Sequence, residues 1–174
     1  MGAYREERNI EKSLWDALRL ILSGATPPYT NVTVCKSFKA ASKVKLNAEE
    51  KNAIIIAKVS RTSHIGAEVG SNLTMRKPLI ILDVFGTSDG QVKDIKDLLI
   101  AELKSGFDYY EYNVLGGVNT NATYESGETA NGKIIVTTID DAEVNLGDDK
   151  SQSDVQDRFR WRISLNCYKT LLEA

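Results

Sequence analysis

Arg158-Phe-Arg-Trp-Arg-Ile-Ser-Leu-Asn-Cys-Tyr168 decides how the chain is read. Phe159, Trp161, Ile163, Leu165 and Cys167 alternate with Arg158, Arg160, Arg162, Ser164, Asn166 and Tyr168, and a period of two sustained this far is the signature of a β-strand with unlike faces. One face is apolar and wants a core; the other carries three guanidinium groups. A second strand is expected from Lys77 to Phe85, where the uninterrupted run Leu79-Ile80-Ile81-Leu82 suits a central strand covered on both sides. It leads through Gly86-Thr87-Ser88 into an amphipathic helix whose stripe is Val92, Ile95, Leu98, Leu99 and Leu103. Ser88 and Gln91 have the spacing of a capping box at its start, and Gly106 is a natural stop.

Working outward, Ile10, Leu14, Ala17, Leu18, Ile21 and Leu22 define another amphipathic helix over Glu6 to Ser23, ended by Gly24 and the turn Thr26-Pro27-Pro28. Asn31 to Phe38 and Asn52 to Ser60 are rich in Val, Ile and Thr and read as short strands, and Lys133 to Ile139 as one more. Asn113 to Lys133 has four glycines, much Asn and Thr and little to bury, so an exposed long loop or β-arm is expected there. An acidic connector, from Asp140, Asp141 and Glu143 through Asp148 and Asp149 to Asp157, is expected to join the last two strands. The fold class is therefore α+β: a mixed, mostly antiparallel sheet with two amphipathic helices packed on it, in one domain spanning 1–174.

The chain has 174 residues, 42% hydrophobic and 26% charged, which excludes collagen-like, disordered and membrane-spanning classes. Twenty-two Lys+Arg against 24 Asp+Glu leave a net charge of −2, so no general attraction to nucleic acid or to an anionic membrane is built in. Cys35 and Cys167 lie in apolar segments and read as buried free thiols. The first residues lack the apolar core of a signal peptide, so use inside the cell is expected, and three Asn-x-Thr triplets beginning at Asn31, Asn72 and Asn121 carry no chemistry there.

Motifs for chemistry are weak. Gly127 to Lys133 matches most of a phosphate-binding loop, but Ile134 stands where Ser or Thr is needed and a strand follows instead of a helix. Asp141-x-Glu143-x-Asn145-x-Gly147 has its glycine one place late for a calcium loop, and Gln152 stands at the closing position. His64, the only histidine, has no metal-ligating neighbour in sequence and reads as a loop residue. Asp83 is the notable carboxylate: inside an apolar strand it must be paired, neutral or at a solvated end. No catalytic, metal or cofactor residue is assigned.

The order of elements resembles tail-terminator and tail-completion (neck) proteins of tailed bacteriophages. The resemblance is carried by Pro78-Leu-Ile-Ile-Leu-Asp-Val-Phe-Gly-Thr-Ser with its helix to Leu103, by Arg158 to Tyr168, and by the first helix. It implies a structural virion protein with no active site. Such a protein forms a homo-oligomeric, usually hexameric ring that caps the tail tube, and its partners are tube and sheath proteins and a head–tail connector or stopper. It implies neither membrane nor specific nucleic acid as partner, a place in the virion, and assembly in the host cytoplasm. The residues add a candidate interface in which Arg158, Arg160 and Arg162 meet acids of a neighbour such as Asp140, Asp141, Glu143, Asp148 and Asp149. Those acids are alternatively suited to lining a channel through which DNA slides. Two other classes stay open: a small-molecule-binding or hydrolytic domain using a carboxylate pair with Asp83, and a nucleic-acid-binding module using the arginine face.

Overall fold

A computed structural model describes residues 6–66, 74–110, 130, 132–144 and 159–171. Helix α1 (Glu6–Gly24) is followed by strand β1 (Val32–Cys35), a short helix α2 (Phe38–Ala41), the long strands β2 (Ala53–Gly66) and β3 (Thr74–Phe85), and helix α3 (Asp89–Leu103). Then come β4 (Phe107–Tyr109), β5 (Gly132–Glu143) and β6 (Arg160–Leu171). The strands form one six-stranded sheet in the order β1-β2-β3-β6-β5-β4, in which only the β1–β2 pair is parallel. The α+β class, the mostly antiparallel sheet and the two long amphipathic helices are those expected from the sequence.

Each face of the sheet has its own packing. On one, α1 and α3 lay Ile10, Leu14, Leu18, Val92, Ile95 and Leu99 against Ile55, Ile80, Leu82, Ile163 and Leu165, all buried. The alternation in β6 does what the pattern requires, since Ile163, Leu165 and Cys167 all join this core. On the other face Ile54, Ile56, Phe85 and Cys35 form a smaller cluster under α2 and the chain after it. Strand β3 puts Ile80, Leu82 and Val84 in the first core and Phe85 in the second cluster, while Leu79 and Ile81 of its unbroken hydrophobic run stay half-buried on the second face.

Polar anchors fix the helices. Trp15 Nε1 donates to the Ala57 carbonyl at 2.9 Å, and Glu11 accepts from the Val59 N–H at 3.0 Å beside a register shift in β2. Burial, reinforced by Glu7, pushes the Glu11 carboxyl up, while the Val59 N–H, Lys58 and Lys36 oppose that shift. Ser13 accepts from the Tyr110 N–H at 3.0 Å, tying α1 to the end of β4. Glu6 holds the start of α1 to the sheet through ion pairs with Arg76 on β3 and with Lys169 on β6 at 3.1 Å.

Several expectations change. The stretch expected as one strand from Asn31 to Phe38 ends at Cys35, because Ser37 caps α2 by accepting from the Ala40 N–H. The strand expected to stop at Ser60 continues to Gly66, so exposed His64 lies in β2 opposite Arg76 and not in a loop. Asp140, Asp141 and Glu143 belong to β5, paired with Ser164, Ile163 and Trp161, and not to a connector. Ile139-Asp-Asp-Ala-Glu143 puts acids on both faces of the strand, so no apolar–polar alternation marks it in the sequence. Strand β4 is too short to show a period; it is held by Gly106, whose φ of +81° only glycine adopts without strain. The expected loop over 113–133 lies outside the described residues except at Ala130 and at Gly132 and Lys133, which begin β5.

Candidate functional site

The register aligns one row across the sheet: Cys35, Ile56, Asp83, Arg162 and Ala142 are successive partners on β1, β2, β3, β6 and β5. Asp83 sits in its middle and is 1% exposed. Arg162 donates to it through Nε at 2.9 Å to Oδ1 and Nη2 at 3.2 Å to Oδ2, a two-pronged pair. Arg160 adds Nε and Nη2 to the same Oδ1, at 3.3 and 3.2 Å. The guanidinium of Arg160 lies 5.2 Å from the ring centre of Phe38 and 5.1 Å from that of Phe85, and these rings meet edge-on at 6.2 Å. The hydrogen bond that Arg162 donates to Asp83 raises the pKa of Arg162 against the opposing effect of burial.

This cluster answers the question that Asp83 posed. The carboxylate is not at a solvated end, and among the described residues it is paired with two arginines of its own chain and no second carboxylate. Both carboxylate oxygens are taken up by guanidinium groups, Oδ1 by Arg160 and Arg162 and Oδ2 by Arg162. Arg160, with a side chain only 12% exposed, is committed to the fold, whereas Arg162 keeps 40% of its side chain in water. Arg158, Asp148 and Asp149 lie outside the described residues.

The acids of β5 fall on different faces. Asp141 turns to the helix side, where it accepts from Trp161 Nε1 at 2.8 Å and pairs with Lys96 at 3.4 Å. Lys96 also stacks 4.8 Å from the Trp161 ring centre, and its pKa is raised by its hydrogen bond to Asp97 and then by that to Asp141, against desolvation. Asp140, two strand positions from Ala142, lies on the face of Arg162 and is exposed.

Further along that face a cleft of about 520 Å³ is lined by Arg61, Ser63, Lys77, Leu79, Asn166 and Tyr168, among others. Among the described residues no carboxylate lines it. A second, more apolar hollow of about 570 Å³ lies between the end of α1 and β4, beside Leu20, which is 72% exposed. Among the described residues no group of three or more His, Cys, Asp or Glu side chains is placed to hold a metal ion, and no helix is long and apolar enough to cross a membrane. Cys35 and Cys167 are free and buried.

No protein-family model matches the chain, and no curated protein matches it by sequence. Among solved structures, a chain described as "Virion of native gene transfer agent (GTA) particle" is similar over 97% of this chain and 98% of that one, at 10% identity and a TM-score of 0.44. At that TM-score neither a residue nor a role is carried across. What the fold and its polar cluster define is an α+β protein in which Asp83 binds Arg160 and Arg162 across its own sheet.

Proposed function

We propose that the chain is a structural virion protein of a phage-like tail or neck, of the tail-terminator or tail-completion kind, with no catalytic step of its own. It works as a closed homo-oligomeric ring, hexameric in the family it resembles, that ends the tail tube and presents a surface to a head–tail connector or stopper. The carrying observation is that the elements bearing the resemblance form the centre of the molecule. Strands β3 and β6 are neighbours through seven register pairs from Leu79–Asn166 to Phe85–Arg160, and α3 follows β3 directly through the Ser88 cap. The use of Asp83, Arg160 and Arg162 in holding that centre together favours a structural over a chemical role.

Native mass and light scattering over a wide concentration range, followed by particle imaging, test the reading. The expected result is a closed ring of identical copies, formed alone or on added tail tubes. A protein that stays monomeric at every concentration and binds no tube end would overturn it.

A further inference from the structure

The two edges of the sheet are unequal, and they complement each other. On one side β1 covers only one end of β2, pairing Val32–Cys35 with Ala53–Ile56. On the other, β4 covers only the opposite end of β5, pairing Phe107–Tyr109 with Gly132–Ile134. From Ile135 to Glu143 the outer edge of β5 has no strand partner among the described residues. The row from Cys35 to Ala142 puts the projecting β1 and the uncovered part of β5 at the same level of the sheet.

The backbone groups at these edges point where a partner would need them. Val144 donates to the Arg160 carbonyl, so in the alternating antiparallel ladder Ala142 also faces β6, and Asp141 and Glu143 turn their N–H and C=O outward. The Asn31 carbonyl accepts from Ala53 N–H, so Thr33 faces β2 and Val32 and Val34 turn theirs outward. The outward residues match in side-chain direction as well. Val32 and Val34 pack on the helix-side core, the side to which Asp141 turns, while Thr33 and Ala142 are exposed on the other face.

Charge follows the same division. The uncovered part of β5 carries exposed Asp140, Asp141 and Glu143. Lys36 follows β1 directly, and Lys39, Lys43 and Lys45 come after it, all exposed. Lys39, Lys43 and Lys45 make no ion pair among the described residues. Like charges oppose β5 pairing with β5, and opposite charges favour β1 against β5.

We infer that copies of this chain join edge to edge, with β1 of one copy pairing antiparallel to the open edge of β5 of the next, Val34 opposite Asp141 and Val32 opposite Glu143. Thr33 and Ala142 then form a pair without hydrogen bonds, in which side chains stand closest. Because the joined edges differ, each copy keeps one free edge of each kind, and repetition closes a ring once the rotation per copy allows it. The inference rests on the ring reading above and names the surface that would build the ring.

Thr33→Cys and Ala142→Cys in one chain test the pairing by mild oxidation and non-reducing electrophoresis. A ladder of cross-linked multimers is expected, and neither single variant should give one. In parallel, Asp140→Lys with Glu143→Lys should weaken self-association at least about tenfold, and adding Lys36→Glu with Lys39→Glu should restore most of it. Unchanged melting of each variant shows that the monomer still folds. A ring by native mass with no ladder and no effect of charge reversal would overturn this interface and leave the ring reading standing. A monomer under all conditions, with no tube-end binding, would overturn both.

Discussion

Asp83 shows what one residue can and cannot reveal in sequence. Its place in an apolar strand announces a partner, and the alternation of β6 announces arginines on one face, but only the register of β3 against β6 says that the two observations describe one contact. Removing the carboxylate leaves two cations facing each other, one of them nearly buried. Asp83→Ala should therefore destabilise the fold by about 3 kcal/mol, the low end for a broken buried pair because Arg162 remains part-solvated. Urea unfolding checks it, and a loss under about 1 kcal/mol would show that the cluster is dispensable. Cys167 makes the opposite case, legible from its apolar neighbours alone. Burial pushes its thiol from 9.0 up to about 12. The folded state thus holds a proton that the unfolded chain releases above pH 9.0, and this contribution to stability is present below that value and lost as pH rises towards about 12. Cys167 should resist alkylation at about pH 8 while the protein is folded and react promptly in denaturant. Fast labelling of the folded protein would contradict its burial.

Elements were legible in proportion to the length and purity of their pattern. Helices α1 and α3 and strands β3 and β6 stand close to where periodicity and capping put them, and Ser88 accepts from the Gln91 N–H as the spacing requires. The reciprocal half of the box is displaced by one residue, with Gln91 Oε1 accepting from the Thr87 N–H at 2.9 Å and its amide reaching the Lys51 carbonyl. That second bond ties α3 to the turn before β2, a long-range use that local spacing does not encode. Strand β4 was invisible because three residues have no measurable period, and the acids of β5 hid a strand behind a loop-like composition. Gly106 is the joint on which β4 depends. A Cβ there would stand 2.0 Å from the Ile134 carbonyl oxygen, in addition to the strain of its positive φ. Gly106→Ala should cost more than the about 1–3 kcal/mol of backbone strain alone, and amide exchange should accelerate first in β4 and the start of β5. Uniform exchange across the sheet would mean that β4 is not a separable element.

For the whole molecule, apolar packing and charge have separate tasks, and salt distinguishes them. The core joining α1 and α3 to the sheet is built mainly from Ile, Leu and Val; Glu6 with Arg76 and Lys169, and Lys96 with Asp141, add ionic links between the helices and the sheet, and the Asp83 cluster lies on the opposite face. The remaining charge, close to balanced at −2 overall, is distributed so that one sheet edge is acidic and the chain beside the other is basic. Sequence shows the balance but not the distribution, because Lys36 and Glu143 are over a hundred positions apart and are related only by standing towards opposite sides of one sheet. Exposed charges act over about 10 Å at 0.1 M salt and about 3 Å at 1 M, while packed side chains are hardly affected. Raising sodium chloride across that range should weaken self-association and leave the melting temperature of the dilute monomer nearly unchanged. Light scattering and calorimetry on the same samples check both halves. Association that strengthens with salt would point to the apolar hollow beside Leu20 as the contact instead, since burial of such a surface gains where charge attraction fades.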